Sequence, residues 1–297
     1  MSFPKVSGAK VSGAVTTDAL GPRLTGRWSR RICAVVIVAG AAAVLAPLAW
    51  MISTSLKPES QVFRTPIEWV PSTVRTENYR EAVSLIPFWR YALNSLVIAV
   101  PVVIGTVATS VAVAFAFARM RAPGLGWLFG LVIAAIMLPG EVTLVPSFLL
   151  FNELGWVGTY LPLTVPAWLG GGAFNIFLLR QYFLTIPREQ DELARVEGHS
   201  HLSILLRVIV PQSWPAVAVV AAFEFVHVWN DFLGPLLYIS EADRYTLPLG
   251  LNFYKDIYNT QWAHLMAASL LALLPCIVVF FLAQRAFTQG VVLTGRR

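Results

Sequence analysis

Three ionisable side chains stand at helical spacing inside one apolar run. Glu224, His227 and Asp231 fall at i, i+3 and i+7, which places them on one face of a helix, with Asn230 neighbouring that face and Trp229 between them. Ionisable groups among lipid-soluble residues are costly and normally face a bundle interior or a water-filled path. Two readings follow. The polar groups line a passage for a polyhydroxylated substrate, with Trp229 supplying an apolar ring face, or they make interhelical hydrogen bonds and headgroup contacts near the outer end of the helix. Glu141, at a Pro139-Gly140 break in another apolar run, leaves the same two readings open.

A second concentration of polar residues lies at about 184–211. Pro187 suits the first turn of a helix, and Glu189, Asp191 and Glu192 suit its positive end. Gly198 permits a backbone reversal, after which Leu202, Leu205 and Leu206 recur at helical spacing up to Pro211. The pattern predicts a short helix, a glycine break and a second, amphipathic helix lying at the membrane face. By itself it is also compatible with an ordinary helical connector.

The chemistry that is missing narrows the function. The sequence contains no Gly-Lys dipeptide, so it cannot build a phosphate-cradling P-loop and is not expected to hydrolyse ATP. His199 and His201 form a pair without a third ligand nearby, and Gly198-His199-Ser200-His201 lacks the second glycine of a nucleophile elbow. Two cysteines, Cys33 and Cys276, are too few for a disulfide framework or a zinc cluster. No metal site and no catalytic constellation is expected: the chain is read as a non-catalytic subunit.

The elements that must carry these residues follow from composition. Of 297 residues 57% are hydrophobic and only 13% charged, about half the charge of an ordinary soluble domain. Lipid must cover much of such a surface. The net charge of +6 does not indicate nucleic acid, because the basic residues flank apolar runs instead of forming one patch. Charge-free stretches of about 20 residues, long enough to cross the hydrocarbon layer, lie between Arg31 and Lys57, from near Ala92 to Arg119, and from about Leu125 to Phe151 with the Pro139-Gly140-Glu141 interruption. Others lie between Glu153 and Arg180 and between Asp256 and Arg285, and a further apolar run, between Arg207 and Leu237, is the one that contains Glu224, His227 and Asp231. The expectation is an all-α integral membrane protein of six transmembrane helices, residues 32–297, preceded by a polar, disordered cytoplasmic tail, residues 1–31. With both termini in the cytoplasm, inside segments hold fifteen lysines and arginines and outside segments seven, the direction the positive-inside rule requires. The long external segment at about 53–91 carries Trp69, Tyr79, Phe88 and Trp89 and is expected to pack as a small cap.

The loop at 184–211 resembles the EAA loop of permeases in binding-protein-dependent ABC importers, whose pattern is Glu-Ala-Ala, a glycine three residues on, then Ile-x-Leu-Pro. Glu192, Leu193 and Ala194 stand at the triplet, Gly198 at the glycine, and Ile209-Val210-Pro211 near the closing motif, with Glu197 in place of the usual Asp, Leu193 for the middle Ala and His199 for another Ala. Further stretches resemble the smaller permease subunit of the sugar-importer branch: Tyr91-Ala92-Leu93-Asn94-Ser95, Ala114 to Arg119, Leu138 to Pro146, Phe177 to Phe183, Trp229-Asn230-Asp231-Phe232, Thr246 to Leu251 and Gln284-Arg285. The resemblance implies a coupling loop between helices 4 and 5, with Glu192, Leu193, Ala194, Glu197, Gly198 and Leu202 engaging an ATPase. It also implies two ATP-binding partner subunits that hold ATP and Mg, a second permease subunit, an extracellular or periplasmic substrate-binding protein, and residence in the cytoplasmic (inner) membrane. Carbohydrate is the expected cargo. Glycerol phosphate or a polyamine is the alternative within the family, and a gradient-driven secondary transporter the alternative outside it. The latter would show paired broken helices with midplane charges.

Overall fold

The computed structural model describes residues 27–255 and 260–292. The chain divides into two compact units, Met1–Ala49 and Trp50–Arg297. The expected polar tail, up to residue 26, lies outside the described residues. Helix α1 (Arg27–Ser55) already begins at Arg27, inside the stretch read as tail. Its part from Arg31 onward is 25 residues long, more than the roughly 20 that cross a bilayer.

The second unit is built from helices alone among the described residues. α2 (Glu77–Leu85) leads into α3 (Phe88–Arg119), and α4 (Leu125–Ile136) into α5 (Gly140–Glu153). Three pieces follow: α6 (Leu161–Thr164), α7 (Ala167–Gly170) and α8 (Ala173–Thr185). Next come α9 (Glu189–Val196), α10 (His201–Gln212) and α11 (Trp214–Trp229). α12 (Leu233–Tyr238), α13 (Leu247–Leu251) and α14 (Trp262–Val292) close the chain. The valine-rich run of α3 would favour a strand in water, but in lipid only a helix satisfies every backbone N–H and C=O within one segment. Small residues on α3 admit its neighbours closely. A Cβ added at Gly105 would stand 2.7 Å from the Trp168 indole.

Among the described residues four helical segments are long and apolar enough to cross a membrane: Arg31–Ser55, Phe88–Arg119, Leu161–Thr185 and Trp262–Ala286. The third run is broken where Pro139-Gly140 interrupts it in the sequence, and the fifth is bent near its start, just after Pro211. α4 and α5 meet at 100°, and α10 and α11 at 82°. The first bend falls at Pro139, whose extended backbone and missing N–H end α4. The second falls at Ser213, which is fully buried and donates its hydroxyl to the Ile209 carbonyl, just after a π-helical turn at Leu205–Ile209. Within Leu161–Thr185 the break is at Gly171 and Gly172, with φ of 66° and 80°. There Ser110 Oγ donates to the Gly171 carbonyl at 2.5 Å.

The two ends of α3 organise the rest. Near its start Asn94 Nδ2 donates to the carbonyls of Asp243 and Tyr245 at 2.9 and 3.0 Å. Near its end Arg119 meets α9. The segments read as external therefore gather at one end of this helix and the loop at 184–211 at the other. At the first end the cap packs around Tyr79 and Phe88, while Trp69, edge-on to Trp50, and Trp89 are both more than half exposed. Lys57 is fully buried, donating to the Glu68 carbonyl at 2.5 Å and lying 4.2 Å from the Trp50 ring centre. Burial pushes its ammonium pKa down. Glu81 takes a hydrogen bond from His264 at 2.9 Å and one from Arg75 at 2.8 Å, and these hold its carboxyl below the usual range.

Candidate functional site

Two places concentrate polar chemistry. The first is a cavity of about 220 Å³ between α3, the α6–α7 turns, α11 and the segment after it. Glu224, His227 and Asp231 all line it, as their spacing requires, although α11 ends at Trp229 and Asp231 stands just beyond. Glu224 joins three helices: it accepts from Thr106 Oγ1 at 3.3 Å and from Asn175 Nδ2 at 3.0 Å. Asp231 Oδ1 accepts from the Gly234 N–H at 3.1 Å, which caps the first turn of α12. Ser95 and Thr246, not singled out from the sequence, complete the polar lining.

The remaining candidates for the path lie elsewhere. Trp229 is 3% exposed, stacks on Phe225 and donates Nε1–H to the Ala272 carbonyl on α14 at 3.0 Å, so it is a core residue turned away from the cavity. Asn230 bonds back to the Val226 carbonyl at 2.7 Å and does not line the cavity. Glu141 sits exposed in the first turn of α5, where its charge favours the positive helix end.

The second place is the loop at 184–211, which folds as a helix, a glycine break and a second helix. Three acids occupy the first turn of α9. Gly198 has φ of +87°, a left-handed conformation that glycine adopts without strain. Ser200 then caps α10, its Oγ accepting from the Ser203 N–H at 3.3 Å, and His199 Nδ1 lies 2.8 Å from Ser203 Oγ. Ala194 is buried with Phe183, Ile204 and Ile209, which explains a small residue at that position of the triplet. Leu193 and Val196 on α9, and Leu202 and Leu206 on α10, are all more than half exposed apolar side chains. Glu192 and Glu197 are exposed beside them.

The element that sequence reasoning missed is the anchor under this loop. Arg119 Nε stands 3.0 Å from Asp191 Oδ2, with side chains 2% and 7% exposed. Arg119 also donates to the Ile186 carbonyl at 2.8 Å, and Arg188 to the Ala118 carbonyl at 3.3 Å. The end of α3 is thereby tied to the start of α9. Beside the pair opens a groove of about 470 Å³ with Arg121, Arg188, Arg195 and His201 on its walls and Glu192 at its edge. The available signal was that Asp191 shares the Ala194 face of α9, where a carboxylate must find a cation. Which cation could not be read locally, because Arg119 is remote in sequence.

Residues 107–292 match the family described as binding-protein-dependent transport system inner membrane component. The chain is 31% identical over 273 residues to the sn-glycerol-3-phosphate transport system permease protein UgpE of Escherichia coli O1:K1 / APEC, covering 89% of this chain and 96% of that protein. To UgpE of Salmonella typhi it is 32% identical over 265 residues, covering 86% and 94%. In fold it matches, with a TM-score of 0.76 and 21% identity, a chain in the crystal structure of a bacterial ABC transporter involved in the import of the acidic polysaccharide alginate, covering 88% of this chain and 98% of that one. A helix-break-helix loop at 184–211 set among helices long and apolar enough to cross a membrane, and relatives matched over nearly their whole length, lead to one conclusion: this chain belongs to the binding-protein-dependent transport system inner membrane component family, the permeases of ABC importers.

Proposed function

We propose that the chain forms half of the translocation path of an ATP-driven importer for a carbohydrate. It pairs with a second permease subunit, docks one of the two ATP-binding subunits through the loop at 184–211, and receives cargo from an external binding protein at the cap end. The observation that carries this reading is the position of α3. One helix contributes Ser95, Ile98 and Val102 to the polar cavity and Arg119 to the anchor of the coupling loop. Closure of the ATP-binding subunits on Glu192, Leu193, Ala194, Glu197, Gly198 and Leu202 would move α9, and α3 with it. The chain supplies no catalysis of its own. The test is uptake into proteoliposomes holding the full importer: accumulation of sugar should require ATP and the binding protein. Uptake driven by an ion gradient without ATP would overturn the assignment.

In this reading α4 with α5 makes one crossing and α11 another, α10 lying in the loop, giving six with the four long segments, with both termini in the cytoplasm of a cell whose inner membrane holds the protein. The positive-inside count supports that orientation. So does the gathering of the 53–91 and 240–255 segments at one end of α3. Cysteines placed at the exposed positions Thr73 or Asp243 should react with membrane-impermeant thiol reagents from outside intact cells. A cysteine at exposed Ser200, and the native Cys33 and Cys276, should not. External labelling at Ser200 defeats the orientation.

A further inference from the structure

The polar cavity has a hydrogen-bonding character that bears on which cargo it takes. Ser95, 3% exposed, accepts the Leu247 N–H at 2.9 Å and keeps its own O–H to donate. Thr246, 4% exposed, lines the same cavity, and its hydroxyl has no partner among the described residues. A buried, unpaired hydroxyl on a cavity wall is a cost that a bound ligand removes. The His227 imidazole, exposed, also lines the cavity. Against these donors stand two acceptor groups, the carboxyls of Glu224 and Asp231, each with lone pairs beyond those its protein contacts use. No lysine or arginine is among the described residues that line the cavity.

We propose that this cavity is a cargo site for an uncharged polyhydroxylated ligand of about one sugar ring, and that Glu224 and Asp231 exclude phosphorylated or carboxylated ones; the proposal rests on the permease reading above. Each hydroxyl of a sugar both donates and accepts, so it can serve the carboxyls and the Ser95 and Thr246 hydroxyls together. A phosphate would need guanidinium or ammonium donors, which this lining lacks, and would meet two carboxyls of its own sign. A polyamine has only donors when charged, so it cannot use the hydroxyl protons. The volume lies below the roughly 300–1,000 Å³ of pockets for drug-sized ligands, in keeping with one ring. The chain thus departs from the cargo named for its glycerol-phosphate relatives.

The test measures equilibrium binding to the detergent-solubilised importer without its binding protein, using radiolabelled matched pairs. These are glycerol with sn-glycerol 3-phosphate, glucose with glucose 6-phosphate, and glucose with glucuronate, with spermidine as a separate arm. Saturable binding of at least one neutral member is expected, at least tenfold tighter than its anionic counterpart. In Glu224→Gln/Asp231→Asn the discrimination should shrink to about threefold or less, because the amides keep the shape and remove the charge. Should the double variant fail to assemble, Asp231→Asn alone, which leaves the Thr106 and Asn175 contacts of Glu224 untouched, should still narrow it. Equal or tighter binding of the anion, tighter binding of spermidine, an unchanged ratio in the variants, or no saturable binding of any neutral member overturns the proposal. Co-purification of the ATP-binding subunits and ATP hydrolysis in the same preparation separate this failure from failure of the permease reading.

Discussion

Gly198→Val is expected to lower transport by tenfold or more while the chain still inserts and accumulates in the membrane. A Cβ at this position would meet nothing within 4 Å, so packing is not what forbids it. The obstacle is the backbone: φ is +87°, and holding a β-branched residue there costs on the order of 1–3 kcal/mol. The loop escapes that strain by abandoning the reversal, which misaligns α9 and α10 and scatters the exposed Leu193, Val196, Leu202 and Leu206. Gly198→Asn is the control, since asparagine tolerates the left-handed region through its local hydrogen bonds. Co-purification of the ATP-binding subunits and sugar-stimulated ATP hydrolysis should both fall in the valine variant and largely survive in the asparagine variant. Normal attachment and normal stimulation in both would show the loop to be a plain connector.

The second large effect is expected at the buried pair. Arg119→Ala or Asp191→Ala leaves one charge buried and unpaired, a loss of roughly 3–5 kcal/mol. The pair is itself imperfectly satisfied: Asp191 Oδ1 and Arg119 Nε have no hydrogen-bond partner among the described residues, although the ions stand 3.0 Å apart. Its desolvation is therefore only partly offset, and its value lies in fixing where α3 meets α9. Arg119→Met with Asp191→Leu should accordingly recover most of the thermal stability lost in either single variant, yet not the coupling of ATP hydrolysis to uptake. The comparison needs melting midpoints of the purified complex and a transported-sugar-to-ATP ratio for all four proteins. Single variants costing less than about 1 kcal/mol, or a double variant that couples normally, would remove the pair from the mechanism.

These two sites mark what could be read before the fold was known. The apolar runs were legible because crossing a bilayer sets a length, and length is local information. Pro139 and Gly198 were legible as breaks because each acts on its own backbone. The bends of 100° and 82° were not, since an angle depends on what the two arms pack against. Ser213, the residue at the second bend, carries no signal until its burial is known. The Arg119–Asp191 contact joins distant parts of the chain, and fifteen basic residues in the inside segments competed for the same acid. Trp229 is a different case. It stands about 140° round the helix from Glu224, so the arithmetic that united Glu224 with His227 also placed the indole on another face. Adjacency in sequence to Asp231 obscured this.

On α3, Thr106 touches Glu224 at the cavity and Arg119 holds the loop, about 20 Å apart along one helix axis. Binding equilibria joined through one body obey linkage: if occupancy of the cavity alters the affinity of the cytoplasmic face for the ATP-binding subunits by some factor, those subunits alter the affinity for cargo by the same factor. A substitution at Thr106 that weakens cargo binding only by a local contact leaves that factor intact, whereas one at Arg119 changes it without touching cargo. The ratio of cargo affinities measured with and without ATP-binding subunits is thus a thermodynamic measure of the helix itself.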